Sequence, residues 1–170
     1  YGFIDTKGEL VIPYQYSFAW IFRDSLTSVT KNGASWFIDK KGNPLNTFQY
    51  NHIDQFDTSG YARFTRNNLM GFMNKKGDEV IEGKYKDIDF FYEGLAYYKS
   101  KDKICFINLN GEVVIERKCS KGTKFQDGLS KVKLKNLYGF IDKENNLVID
   151  YKYDSATDFY DGHALVEKDL

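Results

Sequence analysis

A chain of 170 residues is long enough for one ordinary domain with a sizeable core. Its 42% hydrophobic and 17% aromatic content indicates a folded chain and excludes a disordered one. The formal net charge of zero argues against a nucleic-acid-binding protein, and no apolar run reaches the roughly 18 residues that a membrane-spanning helix needs.

A motif built around Gly-Phe-Ile-Asp recurs along the chain. Two copies are intact, at residues 2–5 and 139–142, and three degenerate copies lie between them. The phenylalanine anchors of the five copies are Phe3, Phe37, Phe72, Phe106 and Phe140. Their spacings of 34, 35, 34 and 34 residues predict a tandem repeat. The approximate boundaries of the five units are 1–34, 35–69, 70–103, 104–137 and 138–170.

The first predicted element of each unit is a β-hairpin. The Phe-Ile-Asp segment and a following apolar pair, Val-Ile in four of the five units, predict two short strands around a tight turn. The aspartate or asparagine that ends the first strand can accept hydrogen bonds from the backbone just after it. Three residues later stands a glycine, or Asn145 in the fifth unit, which indicates a positive φ at this position.

A single aromatic residue, a second phenylalanine and a third strand follow the hairpin. The single aromatic is a tyrosine in four units and is replaced by Cys119 in the fourth. The second phenylalanine lies 19 residues after the first, at Phe22, Phe56, Phe91, Phe125 and Phe159. A Gly-Leu-Ala-like segment such as residues 94–96 then predicts the third strand.

The fold class that these elements predict is all-β, because no stretch keeps a helical period for three turns. A three-stranded unit cannot bury both of its faces alone, so we predict that the units stack into an open, twisted solenoid. A closed five-bladed β-propeller is the alternative, although its blades typically need about 40–45 residues. We treat residues 1–170 as a single repeat domain, and because the chain begins at Tyr1 without an initiator Met we expect a fragment of a longer protein.

The pattern Tyr-Gly-Phe-Ile-Asp-x-x-Gly-x-x-Val-Ile, followed by Phe-x-x-Gly-Leu-Ala-x-Val, resembles the bacterial WG (KWG) β-repeat along the whole chain. That family usually opens each unit with Trp-Gly, whereas the tryptophan position here holds Tyr1, Ser35, Met70, Ile104 and Tyr138. Departures from the pattern concentrate in the second and fourth units. The resemblance implies a repeat array in a bacterial protein, without defined catalytic residues, and leaves cytoplasm and cell envelope both open as its location.

Residues with catalytic or metal-binding chemistry are few and isolated. His52 and His163 have no cysteine or carboxylate at metal-ligand spacing, so we expect no metal site. Cys105 replaces a repeat glycine and Cys119 a core tyrosine, and no activating histidine recurs, so we interpret both as free, buried, structural thiols. No phosphate-binding loop, hydrolase elbow or pair of catalytic carboxylates can be identified, so we predict no enzyme, no catalytic residue and no cofactor.

An acidic residue precedes the glycine or serine of the third strand in four units, at Asp24, Glu93, Asp127 and Asp161. Repeating acids of this kind occur in calcium-binding β-helices. One or two carboxylates per unit are too few for the six to eight oxygen ligands of calcium, however. We therefore interpret these acids as turn residues.

The fourth unit carries the strongest local charge. Residues 116–135 contain seven basic and two acidic side chains, a balance of plus five. Four lysines are the predicted contacts for an acidic partner: Lys121, Lys124, Lys131 and Lys133. Residues 142–169 contain three basic and eight acidic side chains, a balance of minus five. The alternative is therefore that neighbouring units neutralise each other.

Several aromatic residues lie outside the repeat pattern: Trp20, Trp36, Tyr92, Tyr97 and Tyr160. Tyr92 and Tyr160 share one register and are candidate contacts, because an exposed tyrosine offers a rigid amphipathic surface. We predict a non-catalytic module for protein–protein binding or scaffolding, whose partner is another protein or a neighbouring domain of the same chain. The alternative is a module for carbohydrate or another cell-envelope ligand; neither nucleic-acid binding nor membrane insertion is predicted.

Overall fold

The computed structural model describes residues 1–168, and these contain antiparallel strands and no helix. The strands are β1 (Phe3–Ile4), β2 (Leu10–Ile12), β3 (Phe18–Ala19), β4 (Leu26–Lys31), β5 (Ala34–Asp39), β6 (His52–Ile53), β7 (Tyr61–Arg66), β8 (Leu69–Asn74), β9 (Glu79–Tyr85), β10 (Phe91–Tyr92), β11 (Leu95–Ser100), β12 (Lys103–Ile107), β13 (Val113–Lys118), β14 (Lys121–Gly122), β15 (Ser130–Leu134), β16 (Leu137–Ile141), β17 (Leu147–Tyr153), β18 (Ser155–Ala156) and β19 (Val166–Glu167). The all-β prediction is confirmed. No part of this described chain forms a helix that could cross a membrane.

The strands form six sheets, in each of which consecutive strands are neighbours. Three sheets have four strands, β6–β9, β10–β13 and β14–β17, one has three strands, β3–β5, and β1–β2 and β18–β19 are pairs. Each four-stranded sheet takes two strands from one sequence unit and two from the next. The prediction of three strands per unit was wrong, because each unit also contributes a two-residue strand such as β6 or β14. Two residues show no periodicity from which a strand could be predicted.

The first hairpin turn of each unit is held by one polar side chain, as predicted. In the second unit, Asp39 Oδ1 accepts hydrogen bonds from the backbone N–H groups of Lys41 at 2.8 Å and Asn43 at 2.9 Å. The same pair of bonds recurs at the aspartate or asparagine of the other four units. The positive φ is also confirmed, at 90° for Gly77 and 66° for Asn145.

In the first, second, fourth and fifth repeat units, the two repeat phenylalanines pack against each other. The ring centroids are 4.4 Å apart for Phe37 and Phe56 and 4.8 Å apart for Phe106 and Phe125. The first ring lies on the third strand of one sheet, and the second ring follows the first strand of the next sheet. This aromatic pair therefore joins consecutive sheets, which explains why its 19-residue spacing is constant.

The chain divides into two compact units, Tyr1–Lys86 and Asp87–Leu170. The first compact unit has a core around Phe37, Tyr50 and Phe64, with a smaller cluster around Ile12 and Val29. The second compact unit has a core that contains the following buried residues: Leu95, Ile104, Phe106, Ile115, Cys119, Phe125, Val132 and Ile141. Both cysteines are free and buried, as predicted from their repeat positions.

Candidate functional site

Sheet β14–β17 presents two lysines directly opposite each other. Lys121 on β14 pairs with Lys133 on β15, and Lys133 pairs in turn with Tyr138 on β16. Directly paired residues share a face of the sheet, and like charges in such a pair repel each other. The Lys133 ammonium lies 4.6 Å from the Tyr138 ring centroid. Among residues 1–168, neither lysine forms a salt bridge. We call Lys121, Lys133 and Tyr138 the basic face.

The other two predicted lysines already have partners. Lys131 Nζ lies 3.2 Å from Asp158 Oδ1 and donates a hydrogen bond to the Ala156 carbonyl at 2.9 Å. Only 15% of the Lys131 side chain is exposed. Lys124 Nζ lies 4.0 Å from the Tyr92 ring centroid, in cation–π geometry. Neutralisation by the acidic fifth unit therefore occurs at Lys131; Asp169, counted in that acidic balance, lies outside the described residues.

The aromatic residues outside the repeat pattern occupy different environments. Tyr92 is half-buried beneath Lys124, whereas Tyr160 is 77% exposed although it has the same register. Tyr97 packs against the core of the second compact unit. Trp20 is 46% exposed and Trp36 is half-buried. A shared repeat position therefore does not give a shared environment.

Two of the four repeated acids link the turns of consecutive units. Both carboxylate oxygens of Glu93 lie within 3.3 Å of the backbone nitrogen of Gly128, 35 residues later. The Asp127 carboxylate accepts a hydrogen bond from the N–H of Gly162 at 2.8 Å, again 35 residues later. Each of these acids therefore supports the corresponding turn of the next unit, rather than its own. Within residues 1–168, no group of three or more His, Cys, Asp or Glu residues could hold a metal ion.

The second repeat unit departs from the third, fourth and fifth units at the segment that forms the fourth strand of their sheets. The corresponding segments of the four-stranded sheets are continuous strands of six or seven residues, β9, β13 and β17. In the second unit the segment makes only two isolated bridges to β5, between Pro44 and Ile38 and between Tyr50 and Ser35. Residues 45–49 between these bridges are not part of a strand.

A tryptophan in place of a glycine explains this break. A Cβ atom built on Gly71 would lie 2.4 Å from the Ile81 carbonyl oxygen of the fourth strand, and one built on Gly139 would lie 2.6 Å from the corresponding oxygen of Ile149. Trp36 occupies the same repeat position in the second unit. The fourth strand cannot approach an indole side chain as closely as it approaches glycine, so the chain moves out and leaves a groove.

The groove has a volume of about 460 Å³. Its lining residues are uncharged, and they are Gln15, Tyr16, Trp36, Gly42, Pro44, Asn46, Thr47, Phe48 and Gln49. This groove was not predicted from the sequence. The available signal was the double departure of the second unit, with Trp36 in place of glycine and Leu45-Asn46 in place of Val-Ile.

A network of charged residues contacts the Phe48 ring at the rim of the groove. The Arg66 guanidinium makes two hydrogen bonds to the Glu79 carboxylate, at 2.6 and 2.8 Å, and lies 5.4 Å from the Phe48 ring centroid. The Tyr50 hydroxyl donates a hydrogen bond to the same carboxylate at 2.9 Å. Burial, reinforced by Glu79, raises the pKa of Tyr50 well above its usual value, so this hydroxyl remains a donor.

Comparison with known proteins agrees with the repeat. Several solved structures are similar in fold at low identity. A eukaryotic initiation factor has a TM-score of 0.54 and 11% identity over 92% of this chain and 53% of its own. BamB from Moraxella catarrhalis has a TM-score of 0.46 and 11% identity over 95% of this chain and 58% of its own. Hsv2p from Kluyveromyces lactis has a TM-score of 0.46 and 14% identity over 79% of this chain and 50% of its own.

The chain thus spans about half the length of the solved structures it matches. No curated protein matches the sequence. The family of WG-containing repeats matches five consecutive segments, 1–33, 37–69, 70–103, 106–138 and 138–169. Because these segments cover nearly all of the chain, the protein belongs to the family of WG-containing repeat proteins.

Proposed function

We propose that this chain is a non-catalytic repeat module of a bacterial protein, and that its basic face binds an acidic segment of another protein or of a neighbouring domain. The observation that carries the proposal is the direct pairing of Lys121 with Lys133, without a salt bridge to either in residues 1–168. Two like charges in one cross-strand pair cost stability. Carboxylates of a partner would remove this repulsion on binding.

The setting of the two lysines supports a protein partner. They project from a four-stranded antiparallel sheet, which holds them at a fixed separation. Tyr138 beside them is half-buried and adds rigid, amphipathic contact area of the kind enriched in protein interfaces. A neutral total charge does not prevent attraction, because a local potential acts within about 8–10 Å at physiological salt.

The environment of the cysteines supports a non-catalytic module. Cys105 lies in the buried part of β12, and burial raises the pKa of its thiol. Cys119 is 1% exposed, with its sulfur 3.2 Å from the Tyr151 hydroxyl. A nucleophilic cysteine needs a lowered pKa and an accessible thiolate, so the raised pKa of Cys105 and the burial of Cys119 both oppose this role.

The test compares two charge-reversed proteins. Lys121→Glu with Lys133→Glu alters the basic face, and Lys40→Glu with Lys41→Glu changes the net charge equally at an exposed turn of the second repeat unit. Each protein is immobilised and used to capture partners from a bacterial extract at low and at high salt. Association of each captured protein is then followed by surface plasmon resonance at several salt concentrations.

We expect the Lys121/Lys133 variant to associate at least about tenfold more slowly and with a flatter salt dependence, because electrostatic steering acts mainly on the association rate. The Lys40/Lys41 variant should behave like the unmodified chain. Equal association rates for the two variants would eliminate the basic face as the contact surface. Lys131 is left unchanged in this variant, because it already pairs with Asp158.

A further inference from the structure

We infer that the groove beside Trp36 is a binding site for a neutral oligosaccharide, separate from the basic face and independent of the proposed protein binding. The groove lies where the second unit lacks the continuous fourth strand of the third, fourth and fifth units. Three units place glycine at the position of Trp36, and the four-stranded sheets have a continuous fourth strand. A unit that served only to build the array would gain stability from that strand. The departure therefore points to a ligand.

The groove walls combine aromatic rings with side chains that both donate and accept hydrogen bonds. Trp36 and Tyr16 meet edge to face, with ring centroids 6.1 Å apart, and Phe48 on the rim is 47% exposed. Sugar rings present flat faces of C–H groups that pack against aromatic side chains, and hydroxyl groups around their edge. A mainly apolar concave surface with a few polar groups is the usual composition of a small-ligand site.

The polar groups of the groove match hydroxyl groups rather than ions. None of the lining residues is charged, and the Lys31 ammonium next to the groove already donates a hydrogen bond to the Gln15 side chain at 3.0 Å. An amide side chain offers donors and an acceptor together, as a sugar hydroxyl does. Thr47 and Gln49 are exposed, and their side chains make no hydrogen bond within residues 1–168. They are therefore available to a ligand.

Other residues hold the aromatic rim in place. Asn46 donates to the Gly77 carbonyl at 2.8 Å and accepts from the Phe48 N–H at 3.0 Å. Arg66, fixed by Glu79, lies over the Phe48 ring. This preorganisation lowers the cost of ordering the site when a ligand binds. The volume of about 460 Å³ lies in the range of small-ligand sites, roughly 300–1,000 Å³.

A proline-rich peptide is the competing occupant, because such peptides also bind grooves lined by aromatic residues. Its backbone carbonyls are acceptors only, and its proline rings carry no polar group. The amide and hydroxyl side chains of this groove offer acceptors as well as donors. The observed composition therefore favours the saccharide, and the peptide becomes one outcome of the test.

The chain has two tryptophans, which makes a direct optical test possible. In a Trp20→Phe background, Trp36 is the only tryptophan, and its emission reports on the groove. This protein is first screened on an array of neutral oligosaccharides that includes glucan, chitin and galactan fragments. Hits are titrated in solution by Trp36 fluorescence, beside a proline decapeptide.

We expect a saturable change in Trp36 emission with at least one neutral oligosaccharide. Phe48→Ala and Gln49→Ala should each weaken this binding by about tenfold, the factor that corresponds to one lost packing or hydrogen-bonding contact. Gln49 is exposed, so Gln49→Ala should keep the melting temperature of the parent, whereas Phe48→Ala also removes the ring that Arg66 contacts and should lower it slightly. The Lys121→Glu/Lys133→Glu variant should bind the saccharide unchanged, which separates this test from that of the proposed protein binding.

Three results would overturn the inference. The first is the absence of any saturable response across the array at concentrations up to about 10 mM, well above the millimolar limit of weak specific binding. The second is saccharide binding that neither Phe48→Ala nor Gln49→Ala weakens. The third is saturable binding of the proline decapeptide in place of the saccharides, which would assign the groove to a peptide.

Discussion

Single residues at the first hairpin turn determine much of the local backbone conformation of each repeat unit. One carboxylate or amide oxygen satisfies two backbone N–H groups, and the residue three positions later has a positive φ. Asn145 takes the place of glycine in the fifth unit with a φ of 66°. Asparagine tolerates this left-handed conformation better than other residues with a side chain, which is why the substitution was informative.

The first prediction concerns Gly77, where φ is 90°. A Cβ atom there would lie 3.1 Å from Leu45 Cγ, whereas one on Gly8 would meet nothing within 4 Å. Gly77→Val should lower the free energy of unfolding by about 1–3 kcal/mol, because a β-branched residue must adopt a positive φ. Gly77→Asn should lower the free energy of unfolding by a smaller amount. Gly8→Asn should lower it least, because the new side chain meets no neighbour and only the cost of the positive φ remains. Urea denaturation measures all three; equal losses for the valine and asparagine variants at Gly77 would contradict the turn geometry.

A second residue-scale prediction concerns acid stability. The Asn43 side chain, with its backbone N–H, lowers the pKa of Asp39 below its usual value. A carboxyl group with a depressed folded-state pKa stabilises the protein above its unfolded pKa, near 3.9, and loses that contribution as the pH falls through the folded pKa. Asn43→Ala should therefore raise the pKa of Asp39, and acid unfolding should begin at a higher pH.

Carbon-13 NMR titration of the carboxyl groups checks this directly. Asp142 is the internal control, because its pKa is lowered by the corresponding contact with Asn146 in the other compact unit. The pKa of Asp142 should not change in the Asn43→Ala protein. An unchanged pKa of Asp39 would show that the side chain of Asn43 is not its main stabilising donor.

At the scale of elements, the course of the fourth strand of a sheet depends on the residue that it passes on the third strand. Glycine at the crossing lets the carbonyl of Ile81 or Ile149 lie where a Cβ atom would otherwise be. Cys105 is accommodated differently, through a direct pairing with Glu116 on β13. Beside Trp36 the segment is interrupted between its two bridges to β5, and the groove lies there. The same repeat position therefore decides whether a unit has a complete sheet or a cavity.

The element-scale prediction is that Gly71→Ala will disturb β9. The new Cβ would lie 2.4 Å from the Ile81 oxygen and 2.8 Å from the Gly83 nitrogen, so the strand must shift. The expected loss of stability is about 1–3 kcal/mol, as for other overpacked sites. Hydrogen exchange of the β9 amides should accelerate. Cys105→Ala is the matched control, because this position already carries a Cβ atom, and exchange along β13 should stay as it is; unchanged protection of β9 would refute the crossing argument.

At the scale of the whole chain, the same repeat residue is buried or exposed according to its place in the array. The isoleucine or methionine after the first phenylalanine is at most 1% exposed in four units, at Ile38, Met73, Ile107 and Ile141. In the first unit, Ile4 is 61% exposed. Its strand, β1, belongs to a sheet that has only two strands in the described chain, so it lacks the neighbours that cover the other four.

The corresponding prediction compares two identical substitutions. Ile141→Ala should cost about 2–5 kcal/mol, because it leaves a cavity in a packed core. Ile4→Ala should change the free energy of unfolding by no more than about 0.5 kcal/mol, as is usual for exposed positions. Chemical denaturation of the two variants tests the pair. Similar losses would mean that Ile4 is covered in solution, and that the first hairpin packs against another surface.

For the predicted lysine contacts, the sequence and the structure supply different information. The local charge of the fourth unit identified Lys121, Lys124, Lys131 and Lys133 as one group. Only the packing distinguishes Lys131, which pairs with Asp158, from Lys121 and Lys133, which pair with each other across two strands. Residues of equal charge close together in sequence thus have different availability to a partner.

The open solenoid predicted from the 34-residue unit stays a prediction, which small-angle X-ray scattering tests.

The sequence by itself determined the period, the hairpin turns and the phenylalanine anchors of the core. These features depend on backbone conformation and side-chain chemistry within a few residues, so each unit records them independently, and five copies average out local exceptions. Only the tertiary structure decided that sheets span two units, which lysines form a salt bridge within residues 1–168, and that Trp36 opens a groove. The physical reason is that these features depend on the register between strands and on the space that each side chain leaves to its neighbours, neither of which is written in any single segment.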